Sequence, residues 1–304
     1  MELALAVDVG GTKLAVGRVS ADGRLLERRS VATPRTADGE HLWLELTRLV
    51  GSFAPYGRFE VCGVGCGGPM SPGGELVSPL NIPAWRGFPL AGRLSALTGL
   101  PTSVDNDAKA LALGEAWTGA AVGERNFIAM VVSTGVGGGI VLDGRLLEGE
   151  AGNAGHIGHV LVEPDGFELA DHARGTLEAE ASGTGIAART GRPSSEASTA
   201  EITRTGTMVG RAVGSVANLL ALKLAVVAGS VALGFGEPFF AAAQAEIDQL
   251  CVLEFSRGTR IVPAGLGDEG PLVGAAAVGW RHLGRRIGVV EPLSGGSHAT
   301  TPTT

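Results

Sequence analysis

The 304-residue sequence predicts an α/β fold in two lobes, made of duplicated half-domains. Three observations carry that expectation. Apolar runs of strand length alternate with longer stretches at helical spacing, the pattern of helices laid on a largely parallel sheet. A chain of this length has material for two cores. One block also recurs: an apolar run, a glycine turn, a β-rich run and the hexapeptide Asp22-Gly23-Arg24-Leu25-Leu26-Glu27 come back in the same order, ending in Asp143-Gly144-Arg145-Leu146-Leu147-Glu148, 121 positions later. Six matching residues can arise by chance. Six that close a repeated strand–turn–strand unit point to duplication.

Each element follows in chain order. Residues 3–9 (LALAVDV) read as a buried strand ending at Gly10-Gly11-Thr12, 13–19 as a second β-rich run, Ala21-Asp22-Gly23 as a hairpin turn and 24–32 as a third strand. Residues 38–53 read as a helix with Leu42, Leu44, Leu46 and Leu49, and 60–66 as an apolar strand running into Gly67-Gly68-Pro69. Leu90, Leu94 and Leu97 put a helix over 88–98; 101–105 is a short strand, and a helix starts near Asn106. In the second half, 126–133 is a strand, Thr134 to Gly139 a glycine turn, and IVLDGRLLE the return. A long helix follows over 200–223, a strand over 226–230, a helix over 237–256, a strand over 259–264 and a last helix over 271–285. The low-complexity stretch 293–304 is expected to be disordered. The expected lobes are 1–117 plus 275–292, and 118–274. Glycines at Gly114–Gly119 and Gly267–Gly274 fall at the crossings, where they either absorb rotation or cap helices.

Composition excludes several functions. With 44% hydrophobic and 18% charged residues the chain is globular rather than disordered. A net charge of −7, a single Tyr and no basic stripe argue against nucleic acid. No uninterrupted apolar run reaches membrane-spanning length, and the N-terminus lacks a basic region and a cleavage site, so a cytoplasmic location is expected. Cys62, Cys66 and Cys251 form no CxxC pair and read as small buried residues.

The chemistry concentrates at the glycine turns. Asp8-Val9-Gly10-Gly11-Thr12-Lys13 is preceded and followed by strands, unlike a Walker A loop, which opens a helix. Glycines at a hairpin tip can present backbone N–H groups to phosphate, with a hydroxyl from Thr12 and a charge from Lys13. Asp8 at the strand end can hold hydrated Mg²⁺. Taken alone, the motif reads as well as a plain hairpin turn. The second turn, from Thr134 through Gly135 and Gly137, changes the weighting, because two such tips facing a cleft give the two-sided grip a nucleotide triphosphate needs.

The blocks DVGGTK, GVGCGGPM, SPLNIPAW, VDNDAKALALGEAW, STGVGGGI and GNAGHIGHV, in that order, resemble the ROK family of bacterial sugar kinases and repressors, over roughly residues 3–286. The resemblance implies an actin/hexokinase-like (ribonuclease H-like) fold, ATP with Mg²⁺ as donor, a sugar or polyol acceptor and a homodimer. It makes Asp107 the catalytic base; physically, a carboxylate there could take the proton of an attacking hydroxyl, although an Asp at a helix start is often only an N-cap. It makes Asn81, Asn106, His159 and Glu178 sugar contacts, with Gly68 in a loop beside the sugar, and sets Gly229 and Gly265 in loops flanking adenosine.

Two features depart from the family pattern, both on the sugar side. His156 replaces the ExGH glutamate, and a neutral imidazole donates one hydrogen bond and accepts one, where a carboxylate only accepts. Leu169, Asp171 and Thr176 stand in place of three zinc-binding cysteines, so no thiolate zinc site is expected. A different metal site from His156, His159, Asp171 and His172 is chemically permitted, but a loop held by packing and hydrogen bonds is the favoured reading. The leading expectation is therefore an ATP-dependent kinase of a hexose primary hydroxyl, with a kinase of a C7-cyclitol or other sugar analogue as runner-up. A sugar-responsive repressor would need a helix-turn-helix ahead of Asp8, for which there is no room, and an inactive sugar-binding protein would not need Asp107.

Overall fold

Two five-stranded mixed sheets of identical connectivity form the scaffold of the computed structural model, which describes residues 1–170 and 173–292. The tail 293–304, expected to be disordered, lies outside the described residues. In the first sheet β1 (Leu3–Val9), β2 (Lys13–Ser20) and β3 (Leu25–Ala32) form an antiparallel meander; β4 (Val61–Cys66) and β5 (Thr102–Asn106) add in parallel, giving the order β3-β2-β1-β4-β5. Helix α1 (Gly39–Gly51) precedes β4, α2 (Leu90–Thr98) precedes β5, and α3 (Asp107–Thr118) follows it. The second sheet repeats the plan with β6 (Phe127–Val132), β7 (Val136–Leu142), β8 (Arg145–Leu146), β9 (Leu224–Ala228) and β10 (Arg260–Pro263), ordered β10-β9-β6-β7-β8. Helices α4 (Leu177–Ala181), α5 (Gly183–Thr190) and α6 (Thr199–Leu220) precede β9; α7 (Ser230–Phe235) and α8 (Glu237–Leu250) precede β10; α9 (Gly270–His282) closes the half. Replacing each strand number n by n + 5 turns one sheet into the other, so the duplication extends well beyond the hexapeptide.

Side-chain size sorts the layers. Alternate residues of a strand point to opposite faces. Along β1, Leu3, Leu5, Val7 and Val9 enter a core shared with α1 and α2, whereas Ala4 and Ala6 face α3 and α9. Along β6, Ile128, Met130 and Val132 face the core of α4, α6 and α8, while Ala129 faces the middle layer. The small residues let two helices fit between the sheets. Helix α9 lies on β1 and β4 of the first sheet, and α3 on β6 and β7 of the second, so each half's closing helix covers the other half's sheet. The contact is backbone on backbone: a Cβ on Gly63 would lie 1.9 Å from the Ala275 carbonyl oxygen, and one on Gly274 would lie 2.3 Å from that of Ala110. Gly114 and Gly274 thus sit where α3 crosses α9, as close-approach positions.

Helix α3 is buried from Ala108 to Ala116, as expected of a helix apolar on most sides, and the two charged side chains in that stretch, Lys109 and Glu115, have hydrogen-bond partners. Glu115 accepts the backbone N–H groups of Ala120, Gly265 and Leu266; Lys109 Nζ donates to Glu148 Oε2 (2.6 Å) and to the Gly152 carbonyl (2.8 Å).

The structure corrects three expectations. The second glycine turn is short, Ser133 to Gly135, and Gly137–Gly139 belong to β7. Gly137 and Gly139 lie against α3, where a Cβ on Gly139 would lie 2.6 Å from the Ala108 carbonyl and 2.7 Å from Lys109 Cα; Gly138 faces the other way, where a Cβ would lie 2.9 Å from the Gly155 carbonyl. The helix expected over 237–256 ends at Leu250, where Cys251 turns inward with Sγ 3.8 Å from the Gly214 carbonyl. The short helices α4, α5 and α7 were not expected. Among the described residues no helix is long and apolar enough to cross a membrane.

Candidate active site

A cleft of about 380 Å³ opens between the two hairpin tips. Its lining contains Gly10, Gly11 and Thr12 from the β1–β2 tip; Gly68, Asn81, Asn106 and Asp107 from the first half; and Thr134, Gly135, Gly137, His156, His159 and Glu178 from the second.

The first tip is held from outside the hairpin. Gly10 N–H donates to the Lys13 carbonyl (3.0 Å) and closes the turn; Thr33, just past β3, donates its N–H to the Thr12 carbonyl (3.0 Å) and its hydroxyl to that of Gly10 (2.6 Å). Gly11 must be glycine, because a Cβ there would meet Asn81 Cβ at 2.8 Å. The second tip is gripped from behind by the start of α5: Gly183 N–H donates to the Ser133 carbonyl (2.7 Å), and Thr184 N–H (3.2 Å) and Oγ1 (2.8 Å) donate to that of Thr134. Glu178, in the first turn of α4, accepts the Val136 N–H at 2.9 Å. Hydrogen bonds from other parts of the chain therefore brace both tips.

Asp107 opens α3. The cap is its neighbour: Asn106 Oδ1 accepts the Ala108 N–H (3.0 Å), which leaves Asp107 as the first helical residue with its carboxylate at the cleft. By surface area Asp107 is exposed, opening on the cleft, yet the protein packed around it still withdraws it in part from water. This desolvation raises its carboxyl above the usual range, while the Ala108 N–H (2.8 Å) and nearby His156 partly offset the rise. Asp8 lies across Gly65: a Cβ on Gly65 would lie 3.8 Å from Asp107 Cα and 3.9 Å from Asp8 Oδ1. Burial and the Asp107 charge push Asp8 up to about 7, against the pull of Lys13. Asp8, beside Asp107, is a carboxylate that could hold a hydrated divalent cation.

The opposite wall carries the two histidines. The His156 and His159 rings stand nearly perpendicular (75°) with centroids 5.9 Å apart. A Cβ on Gly68 would lie 3.7 Å from His156 Cε1 and Nε2, so the imidazole faces the glycine loop. Burial and His159 keep the His156 pKa low, leaving it neutral near pH 7, able to donate once and accept once.

Some expected site residues lie elsewhere. Asp8 and Lys13 line an adjoining pocket of about 130 Å³ with Arg28 and Asp268. Gly229 and Gly265 follow β9 and β10 and are outside the cleft lining; Gly229 (φ +103°) backs onto Val132, and Gly265 is tied to Glu115. Conversely, Arg35, Leu80, Ser133 and Gly155 line the cleft and were not foreseen. Arg35 arrives there because Thr33 fastens the end of β3 to the hairpin tip, a contact no local pattern announces.

Asp171 and His172 lie outside the described residues. Leu169 and Thr176 are buried, and among the described residues no three His, Cys, Asp or Glu side chains group as metal ligands. The loop before α4 is tied instead by a carboxylate: buried Glu180 accepts the Phe167 N–H and pairs with Arg204 of α6, while Gly175 N–H donates to the Phe167 carbonyl (2.9 Å).

Comparison with known proteins bears on the family and the fold. The profile of the ROK family matches residues 4–281. The N-acetylmannosamine kinase of Citrobacter koseri is 44% identical over 186 residues, 60% of this chain and 63% of that protein. The N-acetylmannosamine kinase of Yersinia pestis is 36% identical over 252 residues, 76% of this chain and 84% of that one. A ROK family glucokinase from Streptomyces griseus, solved with glucose and AMPPNP, superposes with a TM-score of 0.79 at 29% identity, covering 92% of this chain and 99% of its own. A ROK hexokinase from Thermus thermophilus superposes at 0.76 with 31% identity and the same coverage. With the family profile matching nearly all the described residues and the same two-sheet fold in solved members, this chain belongs to the ROK family.

Proposed function

We propose that this protein transfers the γ-phosphoryl group of ATP to a primary hydroxyl of a hexose of the glucose or N-acetylmannosamine kind. The chain is an ATP-dependent sugar kinase; what is proposed is the acceptor, the seating of both substrates and the role of each residue. The observation that carries the reading is Asp107, whose carboxylate shares one cleft with two braced hairpin tips on the phosphate side and His156, His159 and Glu178 on the other. The tips grip the triphosphate; Asp107 orients the acceptor hydroxyl and takes its proton late, since phosphoryl transfer is loose and positioning dominates. Asp8 would hold Mg²⁺ through water, and the ion would offset charge on the phosphate oxygens. The lobes 1–117 plus 275–292 and 118–274 close over the substrates and exclude water.

Replacing Asp107 with Asn tests the assignment. The substitution lowers kcat by about 10³-fold while acceptor binding, followed by calorimetry, stays within a few fold. Activity within tenfold of the parent refutes the base. A second reading, a cyclitol kinase, is favoured by one feature only: neutral His156 faces Gly68 where the family has a carboxylate. Turnover on glucose, mannose, N-acetylmannosamine and a C7-cyclitol separates the two, and activity confined to the cyclitol establishes the second.

A further inference from the structure

The segment that carries His156 is fastened to the opposite wall of the cleft by one side chain. Asn153 Oδ1 accepts the backbone N–H of Met70 (3.1 Å), and its Nδ2 donates to the carbonyls of Met70 (2.9 Å) and Ala151 (3.0 Å). Reversing the amide would set an NH₂ against the Met70 N–H and an oxygen against two carbonyls, so the orientation is determined by its partners. Both polar groups of one backbone residue are thus satisfied across 83 positions of sequence.

The placement is what matters. Met70 is two residues beyond Gly68, which faces the His156 ring, and Asn153 is three residues before His156. The other end of the segment is clamped as well: Glu148 accepts Lys109 Nζ (2.6 Å) and Arg281 Nη1 (2.9 Å), and Lys109, two residues past Asp107, also donates to the Gly152 carbonyl (2.8 Å). Ala154 N–H closes the segment onto the Glu148 carbonyl (3.0 Å). Lys109 therefore sets where the segment starts relative to the base, and Asn153 sets how far its tip stands from the Gly68 loop.

We propose that Asn153 is a positioning residue for the acceptor: its two-point clasp on Met70 sets the gap between the His156 wall and the Gly68–Met70 wall, and with it the fit of the sugar ring. This rests on the acceptor sitting against Asp107 and His156 as proposed above. Asn153 does not reach the phosphate tips, so its effect falls on one substrate.

The test is steady-state kinetics of Asn153→Ala and Asn153→Asp in the full chain, with KM measured for acceptor and for ATP separately. Asn153→Ala removes both bonds to Met70 and raises the acceptor KM by about tenfold, the scale of two neutral hydrogen bonds, with the ATP KM within twofold. Asn153→Asp keeps the acceptor for the Met70 N–H and loses the donor, so it falls between the two. Hydrogen exchange at the Met70 amide accelerates in the alanine variant. An unchanged acceptor KM, or a parallel rise of both KM values with a drop in Tm, overturns the inference by showing no role or a merely structural one. Should Asn153→Ala fail to fold, the Asp variant alone decides by the same split. An active Asp107→Asn variant sinks the underlying reading, whereas an inert Asn153 beside an inactive Asp107→Asn sinks this inference only.

Discussion

The same six residues, Asp-Gly-Arg-Leu-Leu-Glu, build two different hairpins in the two halves. In the first, Ala21-Asp22-Gly23 is a three-residue loop with only Gly23 left-handed (φ +85°), and the chain runs on through eight residues of β3. In the second, Asp143 (φ +51°) and Gly144 (φ +75°) are both left-handed, a two-residue turn between the paired Leu142 and Arg145, and β8 lasts two residues. The chain then leaves the sheet for the segment that ends at His156. The halves differ in the same sense elsewhere. Asp8 is the second-to-last paired residue of β1, and Val131 holds that place in β6; α3 opens on Asn106-Asp107 at the cleft, whereas α9 opens with no side-chain cap. Each half carries one glycine-bearing tip, but Asp8 and Asp107 lie in the first half, and His156, His159 and Glu178 in the second.

The largest effect expected from breaking this comparison is at the layer between the sheets. Ala at Gly63 would put Cβ 1.9 Å from the Ala275 carbonyl and 2.7 Å from the Gly279 nitrogen, both backbone atoms that cannot swing aside. Gly63→Ala should cost about 3 kcal/mol or more in denaturant unfolding, at the upper end for overpacking. Gly139→Ala presses on Ala108 and Lys109 beside Asp107, so if that residue is the proposed base the loss of kcat should exceed what lost stability explains. Parent-like stability of Gly63→Ala would refute direct backbone packing of α9 on β4.

A smaller effect tests the acid that only one half keeps. Burial and Asp107 raise Asp8 from an ordinary 3.8 to about 7, so the folded protein prefers it protonated. Its contribution to stability is full below the ordinary value and declines as pH rises through about 7. An Asp8→Asn variant cannot ionise, so its Tm should match the parent near pH 4 and exceed it by about 5 °C at pH 8, at the expense of activity. A Tm difference that stays flat over this range would mean that Asp8 carries no such burden.

Much of this architecture is readable in the sequence, because it follows from local rules. The Leu/Ala alternation of LALAVDV assigns the two faces of β1, and Asn106 before an apolar run marks the start of α3. What escapes depends on partners far along the chain. Gly137–Gly139 look like a turn until α3 is known to lie against Gly137 and Gly139, and the asparagine that clasps Met70 is one polar residue in a polar loop. Arg35 reaches the cleft only because Thr33 is fastened to the hairpin tip. The proposed sugar side is less readable than the proposed phosphate side for the same reason: its walls come from loops that meet across the two halves, while each tip belongs to one hairpin.

The smallest expected effect is the sharpest test of context over local sequence: one substitution, Asp→Gly, in two copies of one hexapeptide. Asp143 adopts a left-handed backbone, which costs a residue with a Cβ more than it costs glycine. The bonds at that turn run through its backbone, whose N–H donates to Asn126 Oδ1 (2.7 Å) and whose carbonyl accepts Arg125. Asp143→Gly keeps them and relieves the strain, offset in part by a more flexible unfolded chain. Asp22 is the opposite case: its backbone is not left-handed, and its carboxylate accepts from Ser20 Oγ and Arg24 Nε. Asp22→Gly loses both bonds and gains only flexibility. The Asp143 variant should therefore melt at or slightly above the parent and the Asp22 variant about 2 °C below it. Equal shifts of one sign would mean that the hexapeptide, and not its neighbours, decides the turn.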